Sequence, residues 1–164
     1  MKILVAGVGN VLFGDDGFGP AVIVRLASNR LPTGVKLMSA GIRDFDLASA
    51  LRGGYEGAIL VDAVSRGGSP GTLYVLEPNG RTAAADSRLE LDIDAHAFEP
   101  GRALGLARSA GSRLAWVRVV GCEPSPLTEM SMTLSPAVEA AVETAAELVT
   151  ELIGELRETS VAHA

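Results

Sequence analysis

The run Ile3-Leu4-Val5-Ala6 is apolar at every position and is stopped by Gly7 and Gly9. A strand without polar alternation has no face to offer water, so it belongs inside a sheet covered on both sides. Ala58-Ile59-Leu60-Val61 repeats the pattern, and Leu114 to Gly121 supplies another apolar strand. Between these runs the period lengthens. From Phe18 to Asn29, Val22, Ile23 and Leu26 make a helical stripe, with Pro20 in the first turn, where its missing N–H is harmless. Val35 to Ala40 reads as a second strand, and Asp44 to Leu51 as a short helix closed by Gly53-Gly54. Thr72 to Glu77 alternates enough for an edge or antiparallel strand. Ser135-Pro136 opens a long terminal helix whose stripe runs from Val138 to Leu156.

Strands alternating with helices imply right-handed crossovers. The expected fold class is α/β, a three-layer α/β/α sandwich with a mainly parallel, twisted sheet of about five strands. Residues 1–157 read as one domain and 158–164 as a flexible tail, while the polar, poorly periodic residues 79–94 read as an excursion within the domain. A short helix carrying Leu104 and Leu106 is expected after it.

Composition removes several classes of function. The formal charge of −6 and the dispersed arginines argue against nucleic acid as a partner. One cysteine, Cys122, allows neither a disulfide nor a thiolate zinc site within the chain. No apolar run approaches the roughly 20 residues of a membrane span, and the first residues lack a secretory pattern. The expectation is a cytoplasmic protein without membrane insertion.

The loop after the first strand, Gly14-Asp15-Asp16-Gly17, delivers carboxylates to the sheet edge where open α/β folds bind ligands. A dinucleotide fingerprint needs glycines leading directly into a helix, so that backbone N–H groups meet pyrophosphate. Here Leu12 and two aspartates intervene, and anions would be repelled. Asp62 ends the third strand, which parallel pairing would bring beside the loop of Asp16, and His96 can reach in from a loop. Two carboxylates and an imidazole suit Ni, Zn, Mn or Fe. Taken singly, each residue has a plainer reading: Asp15 and Asp16 as loop and cap residues, Asp62 as a turn residue, and His96 as a solvated surface histidine. Cys122 reads as a small buried residue, and Ser65 and Ser135 lack a nucleophile-elbow context.

Several runs together carry a resemblance over roughly residues 1 to 155. They are Gly7-Val8-Gly9-Asn10-Val11-Leu12 with Gly14-Asp15-Asp16-Gly17-Phe18-Gly19, then Leu60-Val61-Asp62-Ala63-Val64, Pro70-Gly71-Thr72-Leu73, His96, Gly121-Cys122-Glu123-Pro124 and Leu134-Ser135. In these the chain resembles the hydrogenase maturation proteases. The resemblance implies an α/β/α endopeptidase that trims the C-terminal extension from the precursor of the [NiFe]-hydrogenase large subunit after nickel insertion. It places Asp16, Asp62 and His96 at the family's metal-contacting positions and makes Asp16 and Asp62 candidates for general-base work. The nickel would be supplied by the substrate, with another divalent metal in the free enzyme as the alternative.

The loop holding Gly41 and Asp44 would face the substrate, although Asp44 stands where the family shows a glycine and Thr133 stands at another common glycine position. The expected partner is the large-subunit precursor, met by a monomer. Three other readings remain open: a non-catalytic module that senses the metal-loaded precursor, a nucleotide-binding domain, and a metal-independent aspartic protease.

Overall fold

The computed structural model describes residues 1–41, 44–77, 111, 114–126 and 131–162. Its centre is β1 (Ile3–Val8), whose six residues are all buried. It pairs in parallel with β2 (Val35–Gly41) on one side and β3 (Gly57–Ala63) on the other. Next to β3 lies β5 (Trp116–Cys122), also parallel, and β4 (Leu73–Leu76) closes that edge antiparallel to β5. The order β2-β1-β3-β5-β4 makes a five-stranded, mainly parallel sheet, as the continuous apolar runs require.

Alternate residues of the central strands feed two separate cores. Ile3, Val5, Ile59, Val61, Val120 and Cys122 point to α1 (Phe18–Ala27) and α3 (Pro136–Ala162). Leu4, Ala6, Val8, Ala58, Leu60, Val117 and Val119 point to α2 (Asp44–Leu51), through Leu47 and Leu51. The sheet is therefore the middle of three layers, and the period of two along each strand decides which residue meets which helix.

α1 owes its place to size as much as to hydrophobicity. Phe18, Val22, Ile23 and Leu26 face the sheet, but the closest approach is made by glycines. A Cβ on Gly19 would lie 2.3 Å from the carbonyl oxygens of both Val8 and Val61, and one on Gly7 would lie 2.3 Å from that of Gly19. The first turn of α1 thus sits directly over the junction of β1 and β3. On the surface, Arg25 of α1 donates to Glu143 of α3 through two nitrogens, an exposed pair of small energetic weight.

α3 buries Val138, Ala141, Ala145, Val149 and Leu152 along the expected stripe, and also Ala146 and Ile153. It continues through Ala162, past the boundary at 157 that the last stripe residue, Leu156, implied. Once nucleated, a helix adds one hydrogen bond per residue fixed, so it outruns its last packed side chain. The excursion at 79–94 and the short helix with Leu104 and Leu106 lie outside the described residues. Among the described residues no helix is long and apolar enough to cross a membrane.

Replacing Gly19 by alanine should destabilise the protein by about 3 kcal/mol or more, because backbone oxygens on two strands would have to move. A urea unfolding curve with a lowered midpoint and an unchanged slope is the expected readout.

Candidate active site

Strand order reverses direction between β1 and β3: the chain leaves β1 for β2 on one side and returns to β3 on the other. Such a switch point opens a crevice at the carboxyl ends of the two strands. Both candidate carboxylates lie there. Asp62 is the penultimate residue of β3, and Asp16 sits in the 3₁₀ turn Gly14–Gly17 that links β1 to α1.

The loop after β1 is built from its own backbone. Asn10 accepts the N–H of Leu12 on its side-chain oxygen, 3.0 Å away, and the N–H of Phe13 on its carbonyl, 3.1 Å away. Phe13 in turn accepts the N–H of Asp16 at 3.1 Å, and the Asp16 Oδ2 accepts the N–H of Asn10 at 2.6 Å. Gly9 permits this folding back. Its φ is +120°, and a Cβ there would fall 1.8 Å from the Asp16 carbonyl oxygen. The Gly9 N–H also donates to the carbonyl of Gly41, at 3.2 Å, which brings the end of β2 to the same edge.

The two adjacent aspartates have opposite roles. Asp15 is buried and is held by partners from elsewhere in the chain. Its carboxylate accepts the N–H groups of Ser125 (2.8 Å) and Ser135 (2.6 Å) and the Ser135 hydroxyl (2.8 Å). The Ser125 hydroxyl donates to that of Ser135 at 2.9 Å. Asp15 therefore fastens the β1 loop to the segment after β5 and to the start of α3, a structural role but not the cap of the helix at Phe18, which has no side-chain cap. Asp16 instead acts on Asp62. Burial, and then the negative charge of Asp16, push the Asp62 carboxyl up from an ordinary 3.8 to about 8, only partly offset by the Ala63 N–H. Asp62 is 3% exposed. A carboxyl in that condition holds its proton at neutral pH unless a cation enters the crevice.

Gly41 ends β2 with φ +58° and open space where a Cβ would stand, and Asp44 opens α2. His96 lies outside the described residues. Among the described residues no three His, Cys, Asp or Glu side chains are grouped as a metal site. The structure thus brings Asp16 and Asp62 to one crevice, with Gly41 at its edge. Their hard oxygen donors fit a divalent cation in chemistry, as a pair that further ligands must complete.

Glu123 was legible only as part of a motif, yet it organises the loop that follows β3. It is 5% exposed. It accepts the N–H groups of Arg66 (2.8 Å) and Gly67 (3.2 Å) and the Tyr74 hydroxyl (2.9 Å). Burial raises its pKa, but these donors and the Gly68 N–H outweigh it and hold the carboxyl below the usual range. The only sequence sign was a carboxylate directly after an apolar strand. Cys122 next to it is buried, and burial, followed by Asp15, pushes its thiol up to about 11, as suits an inert core residue.

Comparison with known proteins decides the family. The hydrogenase maturation protease family model matches residues 20–152. The chain belongs to that family. It is 31% identical over 138 residues to the hydrogenase expression/formation protein HupD of Rhodobacter capsulatus, covering 84% of this chain and 64% of that protein. It therefore spans just under two thirds of that curated relative. Among solved structures, the hydrogenase maturating endopeptidase HybD from E. coli superposes with a TM-score of 0.70 at 29% identity, covering 97% of this chain and 94% of that one. The hydrogenase 2 maturation peptidase from Thaumarchaeota archaeon SCGC_AB-539-E09 gives 0.68 at 36% identity, covering 94% and 99%. The family's α/β fold is thus shared over nearly the whole length.

Two stability measurements separate these roles. Asp15→Ala should cost about 2–4 kcal/mol, since three part-buried donors lose a charged acceptor, whereas Asp16→Ala should cost under about 1 kcal/mol. The second uses pH. The folded pKa of Asp62 lies above the unfolded value, so the native state keeps a proton that the unfolded chain has lost, and stability falls as pH rises from about 4 to about 8. Asp62→Asn should then melt on the order of 5 °C above the parent at pH 8, with the gap closed at pH 4; paired thermal melts check this.

Proposed function

We propose that this chain is an endopeptidase that removes the C-terminal extension from the precursor of a [NiFe]-hydrogenase large subunit once nickel is in place. The observation that carries the reading is a carboxylate pair, half-buried Asp16 beside buried Asp62, at the β1/β3 switch point of a chain in the hydrogenase maturation protease family. A precursor bearing nickel would bring positive charge to this pair as part of the substrate, and His96 is the third residue proposed to contact it.

In this reading recognition and chemistry use the same groups. A cation arriving beside Asp62 favours loss of its proton, so docking couples to ionisation of the pair and strengthens as pH rises toward 8. A carboxyl tuned near the working pH suits general acid–base work on an attacking water, and Asp16 and Asp62 are the proposed catalytic residues. The substrate's metal supplies Lewis-acid polarisation of the scissile carbonyl. Gly41, hydrogen-bonded to Gly9 at the crevice edge, and Asp44 at the start of α2 are proposed to meet the substrate. The protein is proposed to act as a monomer in the cytoplasm, where its precursor partner is assembled.

The test is a mass-spectrometric trimming assay with nickel-loaded and nickel-free precursor encoded in the same genome. Loss of a C-terminal peptide from the loaded form alone is the expected result, with the rate reduced about 100-fold or more in Asp16→Ala and in Asp62→Ala. Full trimming by Asp16→Ala would remove that residue from the mechanism. Stable binding of the loaded precursor without cleavage by the parent chain would make the protein a non-catalytic sensor.

A further inference from the structure

Large apolar side chains exposed among the described residues are few: Val11, Leu12, Val24, Val75 and Met132. Val11, Val24 and Met132 line one groove of about 590 Å³, and Leu12 adjoins Val11 in the chain. A concentration of this kind on one face is what marks an interaction site, whereas isolated exposed apolar residues are ordinary. The groove runs between the β1 loop with α1 on one side and the segment leading into α3 on the other. Leu134 completes its apolar wall, and among the described residues Glu139 is the only charged one lining it.

Its position follows from the turn that carries Asp16. Gly14 and Gly17, the two ends of the 3₁₀ turn, both line the groove, while Asp16 between them addresses Asp62. The Gly14 N–H donates to the Ser131 carbonyl at 2.5 Å, and a Cβ on Gly17 would lie 3.8 Å from Leu134. The opposite wall is therefore bonded to the same turn. Consecutive Cα atoms are about 3.8 Å apart, so the groove begins within one residue of the candidate catalytic carboxylate.

We propose that this groove is the docking site for an extended, apolar segment of the protein substrate, adjoining its scissile bond. The inference rests on the endopeptidase reading above. An extended chain advances roughly 3.3–3.6 Å per residue, so a peptide whose scissile bond lies at Asp16 places residues two to five positions away between Val11, Val24, Met132 and Leu134. A volume of this order accommodates a few side chains. Glu139 lends the groove negative charge, which favours a Lys or Arg within the segment and repels acidic ones. Val24 and Met132, 72% and 77% exposed, gain most from being covered.

The variants Val24→Asp and Met132→Asp test this, because both side chains are exposed enough that folding is preserved, which unchanged melting temperatures will verify. Binding of the nickel-loaded precursor is measured by stopped flow, before trimming proceeds, and KM and kcat for trimming at steady state, both with Asp16 left in place. Each variant should weaken binding and raise KM about 10-fold, with kcat at saturating precursor nearly unchanged.

Parent-level affinity and KM in both variants would overturn the groove and leave the endopeptidase reading standing. Weakened binding by the variants, with a parent chain that binds the precursor but never trims it, would keep the groove and overturn the reading. Sedimentation showing a dimer that Val24→Asp dissociates would assign the groove to a second copy of this chain, and overturn the proposal. A parent chain that fails to bind the precursor would overturn both.

Discussion

The contact between the first turn of α1 and the β1/β3 junction sets the rest of the molecule. Gly19 touches backbone oxygens of two strands, and Gly7 touches Gly19. No larger residue can stand at either place without moving a strand or α1. Because the helix is pinned so close to the sheet, the chain between Val8 and Phe18 has little room and doubles back on itself through Gly9. Asp16 is aimed at Asp62 by that doubling back. The crevice is thus a consequence of backbone packing before any catalytic requirement is considered.

Two buried carboxylates hold the frame around it, and both are satisfied. Asp15 collects three donors from the segment after β5 and the start of α3, and Glu123 collects the backbone of the β3 loop together with Tyr74. Asp62 differs in kind. It is as buried as Asp15, but its most influential charged neighbour has the same sign. Stability would improve without that repulsion, and a carboxyl perturbed by burial and a like charge at a crevice is a functional-site candidate on physical grounds.

Much of this was legible in the residues. The unbroken apolar runs at 3–6 and 58–61 could serve only as interior strands, and the helical stripe from Val22 to Leu26 could serve only as a covering helix, so the layered fold followed. Asp62, at the end of a buried strand, was readable for the same reason. The division of labour between Asp15 and Asp16 was not. Neighbouring aspartates in a glycine loop look alike until the partners of Asp15, more than a hundred residues away in sequence, are in place. Glu123 was hidden likewise, because the donors that surround it come from a loop some fifty residues earlier.

The sequence by itself determined the secondary elements, their alternation and the acidic character of the β1 loop, since these depend on local periodicity, glycine placement and residue charge. Only the tertiary structure decided which aspartate faces the crevice, how far Asp62 is pushed toward its protonated form, and that Val11, Val24 and Met132 share one groove. Burial and electrostatic coupling are properties of neighbours in space. Strand order alone brings β1, β3 and the start of α3 to one edge, and the order of residues along the chain does not contain that distance.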